Sequence, residues 1–214
     1  MPNPVVSFRR LGLALGLLAV GAMGAGGPAA ADQLITPFDV LGWEGGAYQG
    51  DDGRFSRCLL KSPYAPGVEV GLSSSPGRFT VNVYQDSWRL PVPFSQSVAA
   101  RIDRRWEGWL QLESLSATVA SLDFTGHARA IEALRAGQKL SVEAPPPVNG
   151  FALTLQGTAK AIERLRECSS RYMGATGSRS PIEEALANPP GTAGAATGTD
   201  APAPPSAYRH VVLY

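Results

Sequence analysis

Residues 43–58 read WEGGAYQGDDGRFSRC, and this stretch decides how the chain folds. Asp51-Asp52-Gly53 is hairpin-turn chemistry, because Asp tolerates a left-handed backbone and Gly prefers one. Gly45 and Gly46 precede the turn and allow close backbone approach or a bulge in the first strand. Phe55, Cys58 and Leu60 open a second strand. Cys58 and Cys168 are the two cysteines of the chain. In an exported protein two cysteines most simply pair with each other, and the competing reading is two buried free thiols. A bridge closing a loop of about 110 residues raises stability by up to about 4–5 kcal/mol in the chain-entropy picture.

The premise of export comes from residues 1–31. Arg9 and Arg10 form a positive start, residues 11–23 an apolar run, and Ala29-Ala30-Ala31 a small-residue cleavage site before Asp32. The apolar run is short and rich in glycine for a membrane span. A retained N-terminal anchor is the other reading, and Arg9-Arg10 also offers a weak match to a twin-arginine signal. Signal cleavage leaves no integral membrane span. It also takes two arginines from the 19 basic residues, so 17 basic residues face 18 acidic ones and the net charge is −1. That balance speaks against nucleic acid, which calls for a basic excess, and against bulk attraction to anionic lipid.

Residues 32–42 form a lead-in segment in which Pro37 argues against a continuous helix. Residues 43–173 then carry a β-rich domain. Val68, Val70 and Leu72 alternate with Glu69 and Gly71, and Phe79, Val81 and Val83 alternate with Thr80 and Asn82. The same period of two recurs at Val98, Ala100 and Ile102, at Leu110 and Leu112, at Leu140 and Val142, and at Phe151, Leu153 and Leu155. Such patterning predicts half-buried antiparallel strands. Proline- and glycine-rich separators at 75–77, 91–93 and 145–150 fit it. The fold class expected is mainly β with two helices, an antiparallel β-sandwich or a partly closed barrel.

One helix is expected over 127–136, with His127, Ile131 and Leu134 on one face and Gly137 as its stop. The second begins near Thr158. Ala161, Ile162, Leu165, Cys168 and Tyr172 fall on one side of it, and Lys160, Glu163, Arg164 and Glu167 largely on the other. Cys168 therefore faces the core, where a disulfide can tie this C-terminal helix to an early strand. Residues 174–214 read as a largely disordered tail of low complexity, because so small an apolar content does not offset ordering entropy. Deletion of 175–214 is accordingly expected to leave the fold intact. Within the tail, Ser180-Pro181-Ile182-Glu183 is a capping box that predicts one short helix, stopped by Asn188-Pro189. Residues 208–214 are more apolar and read either as a frayed end or as a strand added to a sheet edge.

Catalytic chemistry finds little footing. The Gly-x-Ser-x-Gly elbow and Ser-x-x-Lys are absent, as is a phosphate loop. His127 and His210 are the only imidazoles, and His127 on an apolar face reads as packed rather than as a base. No catalytic residue, metal ligand or cofactor site is assigned. Asp51 with Asp52, or Glu69 with Asp86, are the carboxylate pairs an acid–base mechanism would have to use. The surface singled out for binding is Arg104, Arg105, Trp106 and Trp109, since Arg and Trp are common anchors of interfaces. The bland alternative is that the tryptophans cover the core and the arginines are solvated.

Trp43-Glu44-Gly45-Gly46-Ala47-Tyr48 with Gly53, Phe55, Ser56 and Cys58, and later Phe151–Leu155 with Gly157, Ala161, Leu165 and Cys168, together resemble the invasion-associated locus B family of small secreted proteins from Gram-negative bacteria. The likeness covers residues 43–172. It implies a periplasmic or secreted β-rich module with a disulfide. Similar domains occur fused to trypsin-like proteases, which implies an accessory role. Relatives carry His just before the first cysteine; Arg57 stands there in this chain, so a role tied to that imidazole does not carry over. The function expected is a non-catalytic interaction or structural module of the cell envelope, with an envelope protein as partner. The alternative is a small hydrolase or enzyme-modulating domain working through carboxylates.

Overall fold

Segments with a period of two in their apolar residues build most of the ten strands of the fold. The computed structural model describes residues 32–174 and 180–187. In chain order the elements are β1 (Gln33–Val40), β2 (Trp43–Gln49), β3 (Phe55–Ala65), β4 (Val68–Ser75), β5 (Arg78–Gln85), β6 (Ser95–Ile102), β7 (Trp106–Ser116) and β8 (Val119–Asp123). Then follow α1 (Ala128–Ala136), β9 (Lys139–Glu143), β10 (Phe151–Thr154), α2 (Thr158–Met173) and α3 (Pro181–Ala187). All ten strands join one antiparallel sheet in the order β1-β2-β3-β4-β5-β8-β7-β6-β9-β10. The first five are successive hairpins. The chain then skips two places, returns through β7 and β8 to meet β5, and crosses by α1 to β9 on the far side of β6.

The sheet is a single open ladder and not a closed barrel: β1 and β10 are its edges and do not pair. Tyr64, near the end of β3, nonetheless spans to β10. Its hydroxyl donates to the Ala152 carbonyl at 3.3 Å and accepts from the Thr154 N–H at 3.2 Å. The phenol thus occupies part of the exposed β10 edge and brings the two regions of the sheet together on that side.

Register explains the core. Leu60, Leu72, Val81, Leu122 and Leu112 pair in sequence across five strands, so one apolar row crosses the sheet. All five are buried, each contributing about 1.5–3 kcal/mol relative to exposure. In α2, Ala161, Ile162, Leu165, Cys168 and Ser169 are buried at helical spacing, and this face lies on β3 and β4.

The disulfide Cys58–Cys168 joins β3 to α2 across 110 residues of sequence. Around it the two elements are tied a second way. Ser74, the cross-strand partner of Cys58, accepts a hydrogen bond from Ser169 at 2.9 Å, and its hydroxyl also meets that of Ser180 at 3.3 Å. All three serines are buried, so these bonds satisfy groups that would otherwise be costly in an apolar setting. Phe55 stacks on Tyr172 with centroids 5.3 Å apart, and the Tyr172 and Thr36 hydroxyls share a short hydrogen bond.

Three features differ from the sequence-based expectation. The lead-in segment 32–42 contains β1, the first strand of the sheet. Counted back from the two-residue turn at Leu41 and Gly42, Pro37 falls where its nitrogen faces the open edge, so no ladder bond is lost there. Second, β8 lies at the centre of the sheet between β5 and β7, although no strand is evident at 119–123 from patterning. Third, the packed unit does not stop at residue 173. The short helix foreseen at Ser180 forms as α3, with Ile182 and Ala185 buried, and it packs against α1. The other expectations for 1–31 and for 188–214 fall outside the described residues.

Gly45 and Gly46 are required by the closeness of the strands. A Cβ at Gly45 would stand 2.0 Å from the Leu59 carbonyl oxygen, and one at Gly46 would stand 2.2 Å from that of Thr36. Both obstacles are backbone, so neither position accepts a side chain without moving a neighbouring strand.

Candidate binding site

A cavity of about 790 Å³ opens where β3, the β1–β2 turn and the segment leading into α2 converge. Leu41 and Gly42 form the turn, both with positive φ, as a two-residue hairpin turn demands. This turn leaves Leu41 72% exposed at the rim and carries Trp43 into the wall, where only 6% of it is exposed. From β3 come Ser62, Pro63 and Tyr64. The floor is apolar: Val70 and Leu72 of β4, Val81 of β5, Leu134 of α1 and Leu153 of β10. Leu155, Gln156 and Gly157 close the far side, held by the Leu155 N–H donating to the Gln138 carbonyl at 2.8 Å. Gly157 has a φ of +78°, and a Cβ there would lie 3.0 Å from Trp43 Nε1. Glycine at 157 is thus required both by its left-handed backbone and by the indole beside it.

No carboxylate, imidazole, ammonium or guanidinium lines this cavity. A smaller cavity of about 450 Å³, between Trp88, Arg89 and residues 147–151, also has no acid in its wall. Asp52 sits in the β2–β3 turn, where it accepts from the Arg54 backbone N–H at 2.9 Å. Glu69 is engaged by Lys61 at 2.7 Å. The carboxylate pairs named from sequence therefore line neither cavity. Among the described residues no three of His, Cys, Asp and Glu gather in a way that could hold a metal ion. His127 is the N-cap residue of α1 and lies edge-on to Trp106 at 6.0 Å, a packing role.

The Arg–Trp surface is divided by the sheet. Arg104 and Arg105 are exposed in the β6–β7 turn and form no ion pair among the described residues. The turn is fixed by Asp103, whose carboxylate accepts from the Gln138 N–H at 2.7 Å and the Lys139 N–H at 3.1 Å. Trp106 packs against the core, 6.3 Å from Phe124. Trp109 stands three residues further along the same strand, hence on the opposite face, and is 44% exposed. The two arginines and Trp109 remain accessible, whereas Trp106 belongs largely to the interior.

The outer face also carries a charge network. Arg78 reaches Glu113 at 2.6 Å and Asp123 at 3.0 Å across β5, β8 and β7. Burial alone would push the Asp123 carboxyl up, but hydrogen bonds from Thr125 and the Arg78 charge outweigh it and hold the value below the ordinary aspartate range. A carboxylate whose pKa is depressed on folding stabilises the fold above its unfolded value, and that contribution is lost as pH falls through the folded one. Stability is therefore expected to decline below about pH 4. In Asp123→Asn the decline is expected to be shallower, as urea midpoints measured from pH 6 to pH 2 would show. Superimposable profiles for the two proteins would contradict this.

Scanned against family models, the chain matches none, and no curated protein matches it either. Among solved structures it is similar to the crystal structure of invasion associated protein B from Bartonella henselae, at 18% identity and a TM-score of 0.39. That match covers 61% of this chain and 96% of the other, a weak likeness of fold that carries no function across.

Proposed function

We propose that this chain is an exported, non-catalytic binding module of the cell envelope, locked in its folded form by the Cys58–Cys168 disulfide. The disulfide carries the reading. Disulfides persist in oxidising compartments and are rare in reducing ones, and this one has both cysteines buried between β3 and α2. The arrangement of residues 1–31, with Arg9 and Arg10 before an apolar run and an alanine cleavage site, supports the same address. No helix among the described residues is long and apolar enough to cross a membrane. The two cavities lack converging acids, so binding fits them better than hydrolysis. The family resemblance of residues 43–58 and 151–168 agrees with an envelope role and adds no substrate.

Cell fractionation tests the address. The full chain expressed in a Gram-negative host should be recovered from osmotic-shock fluid or medium with Asp32 at its N-terminus. Recovery of uncleaved chain from the cytosol would overturn the proposal. Affinity capture from envelope extract with the oxidised domain then tests the binding role: a partner retained by the folded protein and lost with Cys58→Ser supports it, and no specific partner counts against it.

A further inference from the structure

We infer that Asn149 is a site of spontaneous covalent modification: its side-chain amide is lost as ammonia through attack by the Gly150 nitrogen, leaving aspartate or isoaspartate at this position. The inference is independent of the address and of the binding role proposed above.

The chemistry follows from the two residue types in this order. The Gly150 nitrogen gives up its proton to solvent base and bonds to Cγ of Asn149, closing a succinimide ring. The Cγ–Nδ2 bond breaks, and Nδ2 leaves as ammonia. Water then opens the ring. Cleavage of the new Cγ–N bond restores the ordinary backbone as aspartate. Cleavage of the original peptide bond routes the chain through Cβ and Cγ as isoaspartate. Water is the sole co-reactant, and nothing is oxidised or reduced. Ring closure requires the following nitrogen to approach Cγ closely, and glycine at 150 has no side chain to obstruct it.

The fold leaves this pair open to reaction. Asn149 and Gly150 are both exposed. They precede the β9–β10 ladder, in which Phe151 pairs with Val142, so neither is held by strand pairing. The Asn149 N–H donates to the Pro145 carbonyl at 3.3 Å, a long hydrogen bond that closes a surface turn. Asn149 has a φ of +58°, the left-handed conformation that asparagine tolerates in turns. Opening such a turn costs little, because few buried contacts are lost with it.

The other three asparagines are protected. Asn82 lies in β5, where it pairs with Gly71 on one side and Ser121 on the other. It is 4% exposed and is followed by Val83, whose branched side chain crowds the attacking nitrogen. Asn3 and Asn188 precede prolines, whose nitrogen has no proton to lose. The reaction is therefore confined to Asn149.

The product also meets a favourable charge. Asn149 and Arg89 both line the smaller cavity, whose wall contains no acid. The Arg89 guanidinium donates to the Asp86 carbonyl at 2.8 Å and the Trp88 carbonyl at 2.6 Å, and it forms no ion pair among the described residues. Loss of the amide places a carboxylate in the same wall as this cation.

Timed incubation of the purified, oxidised protein at pH 8 tests the inference, read by isoelectric focusing and by mass mapping of peptides. A synthetic peptide of residues 143–154 gives the rate without the fold. A form more acidic by one charge should accumulate at a rate within several-fold of the peptide. The mass change of an amide becoming an acid should fall on Asn149, with Asn82 unaltered, and an isoaspartyl methyltransferase should label part of the product. Gly150→Ala should slow the conversion several-fold. A Cβ at Gly150 would lie 3.0 Å from the Val142 carbonyl oxygen, so Asn149→Gln serves as the second variant. It should abolish the acidic form over the same period, since glutamine must close a larger ring. An unmodified Asn149 in folded protein while the peptide converts would overturn the inference. So would faster conversion of Asn82, or accumulation of the acidic form at the wild-type rate in folded Asn149→Gln. None of these results bears on export or on capture of a partner.

Discussion

Cys58→Ser is expected to lower the unfolding free energy by about 3–5 kcal/mol. The bridge spans 110 residues, so breaking it returns a large closed loop to the freedom of the unfolded chain. Cys58 is completely buried beside Ala47 and Ser74, so the variant also places a hydroxyl and a lone Cys168 thiol in the tightest part of the β3–α2 contact. A Cys58→Ala, Cys168→Ala double variant separates the two effects, because it removes the bridge without the new hydroxyl. Against a total of about 5–15 kcal/mol for a domain of this size, a loss of this order leaves a substantial unfolded population. Urea unfolding monitored by tryptophan fluorescence, with and without reductant, gives the number. The reduced wild type should approach the variant, and equal midpoints for oxidised and reduced protein would contradict the prediction.

Cutting the chain after Gly174 is expected to destabilise the domain by at least as much as Ile182→Ala alone, which should cost about 2–4 kcal/mol. This reverses the expectation from composition that residues 175–214 are dispensable. Pro181, Ile182 and Ala185 are buried, and α3 packs on α1, whose Leu134 also forms part of the cavity floor. Truncation removes Ser180 as well, which leaves the buried Ser74 hydroxyl with Ser169 as its remaining side-chain partner. The loss should appear as a lower urea midpoint and a less cooperative transition. A separate deletion of 189–214 distinguishes the helix from the rest of the chain. An unchanged midpoint on truncation after Gly174 would show that α3 contributes nothing to the fold.

Much of the architecture is legible in the sequence because strand periodicity is a direct imprint of burial. The rows Leu60, Leu72, Val81 and Val98, Leu110 announce themselves by alternation, and the Asp-Asp-Gly turn fixes the β2–β3 hairpin. The side of α2 that holds Cys168 follows from helical spacing, and so the strand-to-helix disulfide follows too. What escapes has identifiable causes. Pro37 reads as a breaker, yet at a sheet edge a missing N–H costs no ladder bond. The strand β8 has only Ala120 and Leu122 as inward apolar residues, amid serine, threonine and alanine, so its period is too short to stand out. Composition averaged over the tail hides Ile182, although the capping box at Ser180 marks the helix that carries it.

The site is less legible than the fold. Trp106 and Trp109 attract notice together, but an odd separation within one strand sends them to opposite faces, a signal present once the strand is placed. The cavity draws its wall from seven separate elements and two connecting segments, and no local pattern unites Trp43, Tyr64, Leu134 and Leu153. Only the bulk of Trp43 beside two glycines hints that close packing occurs there.

The most direct test of the central claim, a covalent β3–α2 lock, is intact-mass measurement of the protein purified without reductant after iodoacetamide treatment in denaturant. The account predicts no added mass until reduction, and then two carbamidomethyl groups, one each on Cys58 and Cys168. Full modification of both thiols before reduction would contradict it.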